Sequence, residues 1–156
     1  MALFLASGVT AAELRQLRVD DLDVAGGRPT VFVDKHGPRI GRRVPIDGFA
    51  VDVLRDYHDA RRRIQCATQW LLIATAAGKP MQPDTMLKCV RAALKRAGLA
   101  AADESPRLLR NTFGRRHIVE GETNEQVSNL MGLSSHRTAT RLRQTVDAGV
   151  ISEEQR

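Results

Sequence analysis

The residues best equipped for chemistry are arginines. Of 24 basic residues 20 are Arg, set against 18 acids, and the net charge is +6. A guanidinium is a planar fork of donors that matches two oxygens of one phosphate. The bases fall into two blocks. Lys35, Arg39, Arg42 and Arg43 lie between Lys35 and Ile46 with no acid among them. Arg107, Arg110, Arg137 and Arg141 belong to the second block, Ser105 to Arg143, which holds seven Arg against three Glu. Such clusters favour a polyanionic partner. Solvated faces are the plain alternative, and a high-GC genome also inflates Arg.

Nucleophiles and metal ligands are scarcer. Tyr57 is the single tyrosine, and its place on the apolar side of a predicted helix suits packing. Ser134, Ser135 and Thr140 are alcohols within the second basic block. Asp20, Asp21 and Asp23 could suggest a metal-dependent nuclease, but they precede a hairpin and read as turn residues. His36, His58 and His117 lack metal-ligand spacing, as do Cys66 and Cys89. Neither a metal nor a cofactor is expected.

These residues need a scaffold. Residues 1–7 read as the end of a helix stopped by Gly8. Thr10-Ala-Ala-Glu13 has the form of a capping box, opening a helix to about Leu17. Gly26-Gly27 marks a turn. Pro29 to Asp34 and Arg42 to Ile46 read as the strands of a basic β-hairpin turned at Gly37-Pro38. Asp47 is placed to cap a helix with Phe49, Val53, Leu54, Tyr57 and Ile64 on its apolar side. Arg61, Arg62 and Arg63 in its last turn suit the dipole. Trp70 to Ala74 is a short strand or buried segment, and Gly78-Lys-Pro80 is a loop. Asp84 is placed to cap the next helix, which carries Met86, Leu87, Val90 and Leu94 and ends before Gly98. Ser105-Pro106 opens a helix to about Glu120. Thr123-Asn-Glu-Gln126 is a second capping box, its helix closed by Gly132. Ser134 or Ser135 caps a last basic helix. The fold class is mostly α with a small antiparallel sheet, and 156 residues fit one domain.

Several classes are excluded. No apolar run approaches the ~20 residues of a membrane-spanning helix. Met1 to Ala6 is apolar without a basic leader, so it reads as core. Two cysteines cannot make a disulfide framework, which suits a reduced compartment.

Three stretches in order resemble the catalytic domain of the tyrosine recombinases, the phage-integrase family. Ser7-Gly-Val-Thr-Ala-Ala-Glu-Leu14, with Leu17-Arg18 and Asp21-Leu22, resembles T-G-L-R-x-x-E-L…L-x-W-x-D-I. The hairpin ending Arg42-Arg43-Val44-Pro45-Ile46 is similar to the family's lysine-bearing hairpin. Ser105-Pro-Arg-Leu-Leu-Arg-Asn-Thr-Phe113 resembles H-x-L-R-H-T-F, and Leu130-Met-Gly-Leu-Ser-Ser135 is similar to L-L-G-H-S-S. The resemblance spans nearly the whole chain and implies an integrase-like catalytic fold. It also implies DNA chemistry, in which a tyrosine attacks the scissile phosphate, two Arg clamp its oxygens and a hairpin Lys protonates the leaving group.

Carried over residue by residue, the family pattern is degenerate. The first catalytic Arg falls on Thr10, explicable as a helix cap. The hairpin Lys falls on Lys35, either a phosphate contact or a solvated turn residue. The middle-box positions fall on Arg107, Arg110 and Asn111. Arg110 would hold a phosphate or pair with a buried acid such as Glu13. The polar group after the glycine falls on Leu133, with His136 a shifted substitute, and the tyrosine falls on Leu142. No catalytic set is intact. The resemblance implies double-stranded DNA as partner, contacted by Lys35, Arg39, Arg42, Arg43, Arg107, Arg110, Arg137 and Arg141.

The family's N-terminal clamp domain has no counterpart in residues 1–156, so DNA binding should be weak and electrostatic. The leading expectation is an inactive DNA-binding accessory, regulator or remnant. The alternatives are a strand transferase using Ser134, Ser135 or Thr140, and an oligomerisation module. In the last, Val146 to Ile151 would dock on another copy or a related recombinase, or simply be a frayed end. A cytoplasmic, nucleoid-associated protein of bacterial, archaeal or phage origin, with no membrane partner, is expected.

Overall fold

The computed structural model describes residues 1–75 and 77–154, with side chains described through residue 148. α1 (Ala2–Ser7) ends at Gly8, whose φ of 57° is the left-handed conformation that favours glycine. A Cβ there would also strike the Phe113 ring. α2 (Ala11–Gln16) opens with the full capping box: Thr10 Oγ1 accepts from the Glu13 N–H, and Glu13 Oε2 accepts from the Thr10 N–H at 2.7 Å. The box therefore fixes the position of Glu13 as well as the helix start.

After a 3₁₀ turn (Val19–Asp21) come β1 (Leu22–Asp23), β2 (Thr30–Val33) and β3 (Arg42–Pro45), an antiparallel sheet in the order β1-β2-β3. The hairpin register pairs Val31 with Val44 and Val33 with Arg42. The two-residue β1 is too short to announce itself by alternation and adds a strand to the expected hairpin. Val31, Val33 and Val44 are buried beneath the sheet, whereas Phe32 and Arg43 face outward, with Arg43 over the Phe32 ring at 5.8 Å.

α3 (Gly48–Arg63) buries a different face from the one expected. Ala50, Leu54, His58 and Arg61 are inward, while Phe49, Val53 and Ile64 are exposed. Arg61 decides the rotation: it is 4% exposed and donates to the carbonyls of Trp70 and Thr68 at 3.0 and 2.9 Å. A guanidinium with such partners is a better core element than its charge suggests. Tyr57 is half-buried and donates to the Leu71 carbonyl at 2.9 Å, a packing role. Asp47 precedes α3 without capping it through its side chain; Arg116 takes its carboxylate instead.

α4 (Pro83–Arg96) is capped at Gln82 with Pro83 at its first position, so Asp84 lies inside the first turn rather than at the cap. α5 (Pro106–Val119) is capped by Ser105, whose hydroxyl accepts from the Arg107 N–H at 3.2 Å. α6 (Asn124–Met131) starts at the second capping box and stops at Gly132. α7 is Arg137–Glu154. α5 is the central helix, packed on α1, α6 and α7, and Phe113 at its middle is fully buried. Gly114 beside it gives α7 a close approach. A Cβ there would lie 2.8 Å from both Leu142 Cδ1 and Met131 Sδ.

Candidate nucleic-acid interface

The site is built on a buried charge node. Glu13, with no side-chain exposure, receives Arg42 Nη1 on Oε1 at 2.8 Å, and Arg110 Nη1 lies 3.7 Å from its Oε2. Arg42 Nε donates to the Leu130 carbonyl at 2.7 Å. Arg110 donates to the carbonyls of Gly8 and Met131, the latter at 2.6 Å. The node thus joins the α1–α2 junction, β3, α5 and the end of α6. Gly132 lies so close to the Arg42 guanidinium that a Cβ would collide with it.

The energetics of the node follow from these contacts. Burial alone would raise the Glu13 pKa. The hydrogen bonds from Arg42 and Thr10, with the charges of Arg42 and Arg110, outweigh it and hold the carboxyl below its ordinary value. Burial pushes the Arg110 guanidinium down to about 10, against the opposing pull of Glu13, so it stays charged at neutral pH.

Above the node opens a cleft of about 400 Å³. Arg39 from the hairpin, Arg107 and Arg110 from α5, and Arg141 from α7 line it, together with Thr10, Asn111 and Leu133. Four guanidiniums from three elements converge where the sequence positions had to meet. Arg107 is 75% exposed and donates to Asp103 Oδ2 at 3.1 Å, a pair that solvent screens. Arg110, by contrast, reaches the cleft while its hydrogen bonds serve the core.

Of the hairpin bases expected to contact DNA, Arg39 lines the cleft and Lys35, the position of the family's hairpin Lys, does not. Lys35 is exposed and is not among the cleft residues. The strand end folds back through a His36–Arg39 bridge, and the Ile40 N–H donates to the Gly132 carbonyl at 3.3 Å. That docking carries Arg39 to the cleft. Its Nε is buried and, among the described residues, has no hydrogen-bond partner. Arg42, expected to contact DNA, is instead committed to Glu13 and Leu130, with its side chain 7% exposed. Arg43 faces outward and bonds Thr30 Oγ1, and Arg137 is exposed at the start of α7, outside the cleft.

The inner role of Arg42 had a readable signal: in a strand it shares a face with Val44, two residues on. Arg39 is marked by the same basic block, but its place beside α5 and α7 depends on how the turn folds back.

Leu142 is 2% exposed in the core, and Leu133 is partly buried against it. Ser134 and Ser135 are exposed. The Thr140 hydroxyl donates to the His136 carbonyl at 3.0 Å, and His136 Nδ1 lies 3.1 Å from Ser128 Oγ. Asp21 and Asp23 bind nearby backbone N–H groups as turn residues do. Among the described residues no group of three His, Cys, Asp or Glu could hold a metal, and no helix is long and apolar enough to cross a membrane. The segment 149–151 of the expected docking surface has no described side chains; Val146, which does, packs on the core.

Solved structures share this fold. A XerA recombinase superposes with a TM-score of 0.80 at 20% identity, over 99% of this chain and 56% of that one. A XerH site-specific recombinase bound to palindromic difH substrate gives 0.80 at 19%, over 99% and 43%. The Tn1549 transposon integrase in complex with circular intermediate DNA gives 0.71 at 16%, over 90% and 53%. The chain therefore spans about half the length of these structures. Helical body, three-stranded sheet and their connections define the tyrosine-recombinase catalytic-domain fold. The family model described as phage integrase family matches residues 1–146, and the chain belongs to that family. No curated protein matches the sequence significantly.

Proposed function

We propose that this chain is an integrase-like domain that binds double-stranded DNA through the arginine cleft and does not cleave it. One observation carries the reading: the cleft gathers four arginines, and the alcohols on its walls, Thr10, Ser105 and Thr138, come with no tyrosine and no His, Asp or Glu to serve as a base. The family resemblance aligns Thr10 with the first catalytic Arg, and Thr10 Oγ1 lies 2.9 Å from Glu13 Oε2 inside the helix cap. It aligns Leu142 with the nucleophile, and Leu142 is core. Loss of one preorganised donor costs about 2.7–4 kcal/mol of transition-state stabilisation. Here a donor and the nucleophile are both replaced.

Binding needs less. Arg39, Arg107 and Arg141 suit phosphate oxygens, and the net charge of +6 favours encounter with a polyanion. If about five phosphates are neutralised, log K falls with log salt at a slope of roughly −4 to −5. Titration of a labelled random duplex from low to moderate salt tests this. Binding that ignores salt, or none at low ionic strength, refutes the reading and favours a protein-interaction module.

A further inference from the structure

Beside the arginine cleft lies a second groove of about 220 Å³ between α5 and α7. Arg107, Asn111 and Arg141 line both hollows, so the two adjoin. The α5 wall of the groove is Arg107, Asn111 and Arg115, spaced four apart and therefore on one side of the helix. On the α7 wall stand Arg141, Leu142 and Thr145.

Arg115 spans the gap. Its Nε donates to Thr145 Oγ1 at 3.0 Å, and the Thr145 hydroxyl donates to the Leu142 carbonyl at 2.6 Å. The side chain is thus held across the groove. The one acid on the walls is Asp103, which is paired with Arg107. Among the described residues no carboxylate pairs with Arg115 or Arg141. Three guanidiniums against one carboxylate leave a surplus of positive charge that an anion would relieve.

We propose that the α5–α7 groove is a second phosphate subsite, holding the DNA backbone as it leaves the cleft through Arg107, Arg115 and Arg141. The proposal rests on the DNA-binding reading above. Geometry suits a phosphate row. Eight residues of helix separate Arg107 from Arg115, or about 12 Å at 1.5 Å per residue. Successive phosphates of one strand advance about 3.4 Å along the duplex axis, so cleft and groove together reach several of them.

The test is a salt titration of the full chain with a labelled random duplex, repeated for Arg115→Gln, Arg115→Lys and Arg141→Gln. Arg62→Gln, an exposed change on α3 outside both hollows, is the control. Arg115→Gln is expected to weaken binding about fivefold or more and to make the salt slope shallower by about 0.9, with an unchanged melting temperature. Arg115→Lys should restore most of the slope, and Arg62→Gln should match the parent. Arg141→Gln, which touches cleft and groove alike, should show at least the same loss, and Arg115→Met keeps the test decisive at the groove itself if Arg115→Gln fails to fold. Parent-like affinity and slope in the Arg115 variants, with the parent binding DNA, overturn the subsite and leave the DNA reading standing. A parent that shows no salt-dependent binding removes both.

Discussion

Replacing Glu13 with Gln removes the charge from the buried node while keeping its shape. Gln still serves a capping box, so the start of α2 should survive. What is lost is the carboxylate that Arg42 meets at 2.8 Å and Arg110 at 3.7 Å. Two guanidiniums, each with 7% side-chain exposure, would then face one another without an anion. Breaking a buried ion pair from one side costs about 3–5 kcal/mol, and the remaining amide oxygen points to the lower end, about 3 kcal/mol. At about 2–4 °C per kcal/mol for a chain of this length, the melting temperature should fall by roughly 6–12 °C. The pH dependence gives a second signature. The folded-state pKa of Glu13 lies below its ordinary value. Its stabilisation is therefore complete above the unfolded pKa, about 4.3, and is lost as pH falls through the lower folded value. The gap between parent and Glu13→Gln should be widest near neutrality and close under acid. Urea unfolding at a series of pH values measures it. A gap below about 1 kcal/mol at pH 7, or one that does not narrow in acid, refutes the node as an electrostatic keystone.

Other outcomes follow from the same contacts. Arg107→Gln should weaken DNA binding with little change in melting temperature, because its pair with Asp103 is exposed. Arg110→Gln should instead lower stability by several kcal/mol, because its donors serve Gly8, Met131 and Glu13; urea unfolding separates the two. Gly114→Ala should cost about 1–3 kcal/mol by pressing on Leu142 and Met131, read by the same method. Leu142→Tyr should crowd the same contact and still give no covalent adduct on a nicked duplex; a stable variant that traps DNA would contradict this.

Much of the fold is written in local chemistry. Thr10-x-x-Glu13, Thr123-x-x-Gln126 and Ser105-Pro106 each open the helix their side chains predict, since a cap is decided within four residues. Gly8 and Gly132 end helices because the left-handed turn there needs no side chain. The buried face of α3 was not legible, because the carbonyls of Thr68 and Trp70, in the irregular segment that follows the helix, draw Arg61 inward against its charge. At the candidate site, Arg107 and Arg110 are picked out by the resemblance of their stretch to H-x-L-R-H-T-F, but their roles divide on burial, which a motif does not report. Arg39 replaces Lys35 at the cleft through one tertiary hydrogen bond, Ile40 to Gly132, that no local pattern announces. Arg115 lay outside the motif altogether and enters only because α5 and α7 meet.

The central claim, binding without cleavage, meets its most direct test in one gel experiment. The full chain is mixed at low salt with a labelled, nicked random duplex pool, and each sample is run before and after denaturation with detergent. Retarded DNA before denaturation and complete release afterwards are expected, because the cleft suits phosphates and has neither a tyrosine nor a general base on its walls. A band that survives the detergent, and disappears when Ser134, Ser135 or Thr140 is replaced, would contradict the claim and establish a covalent strand transferase.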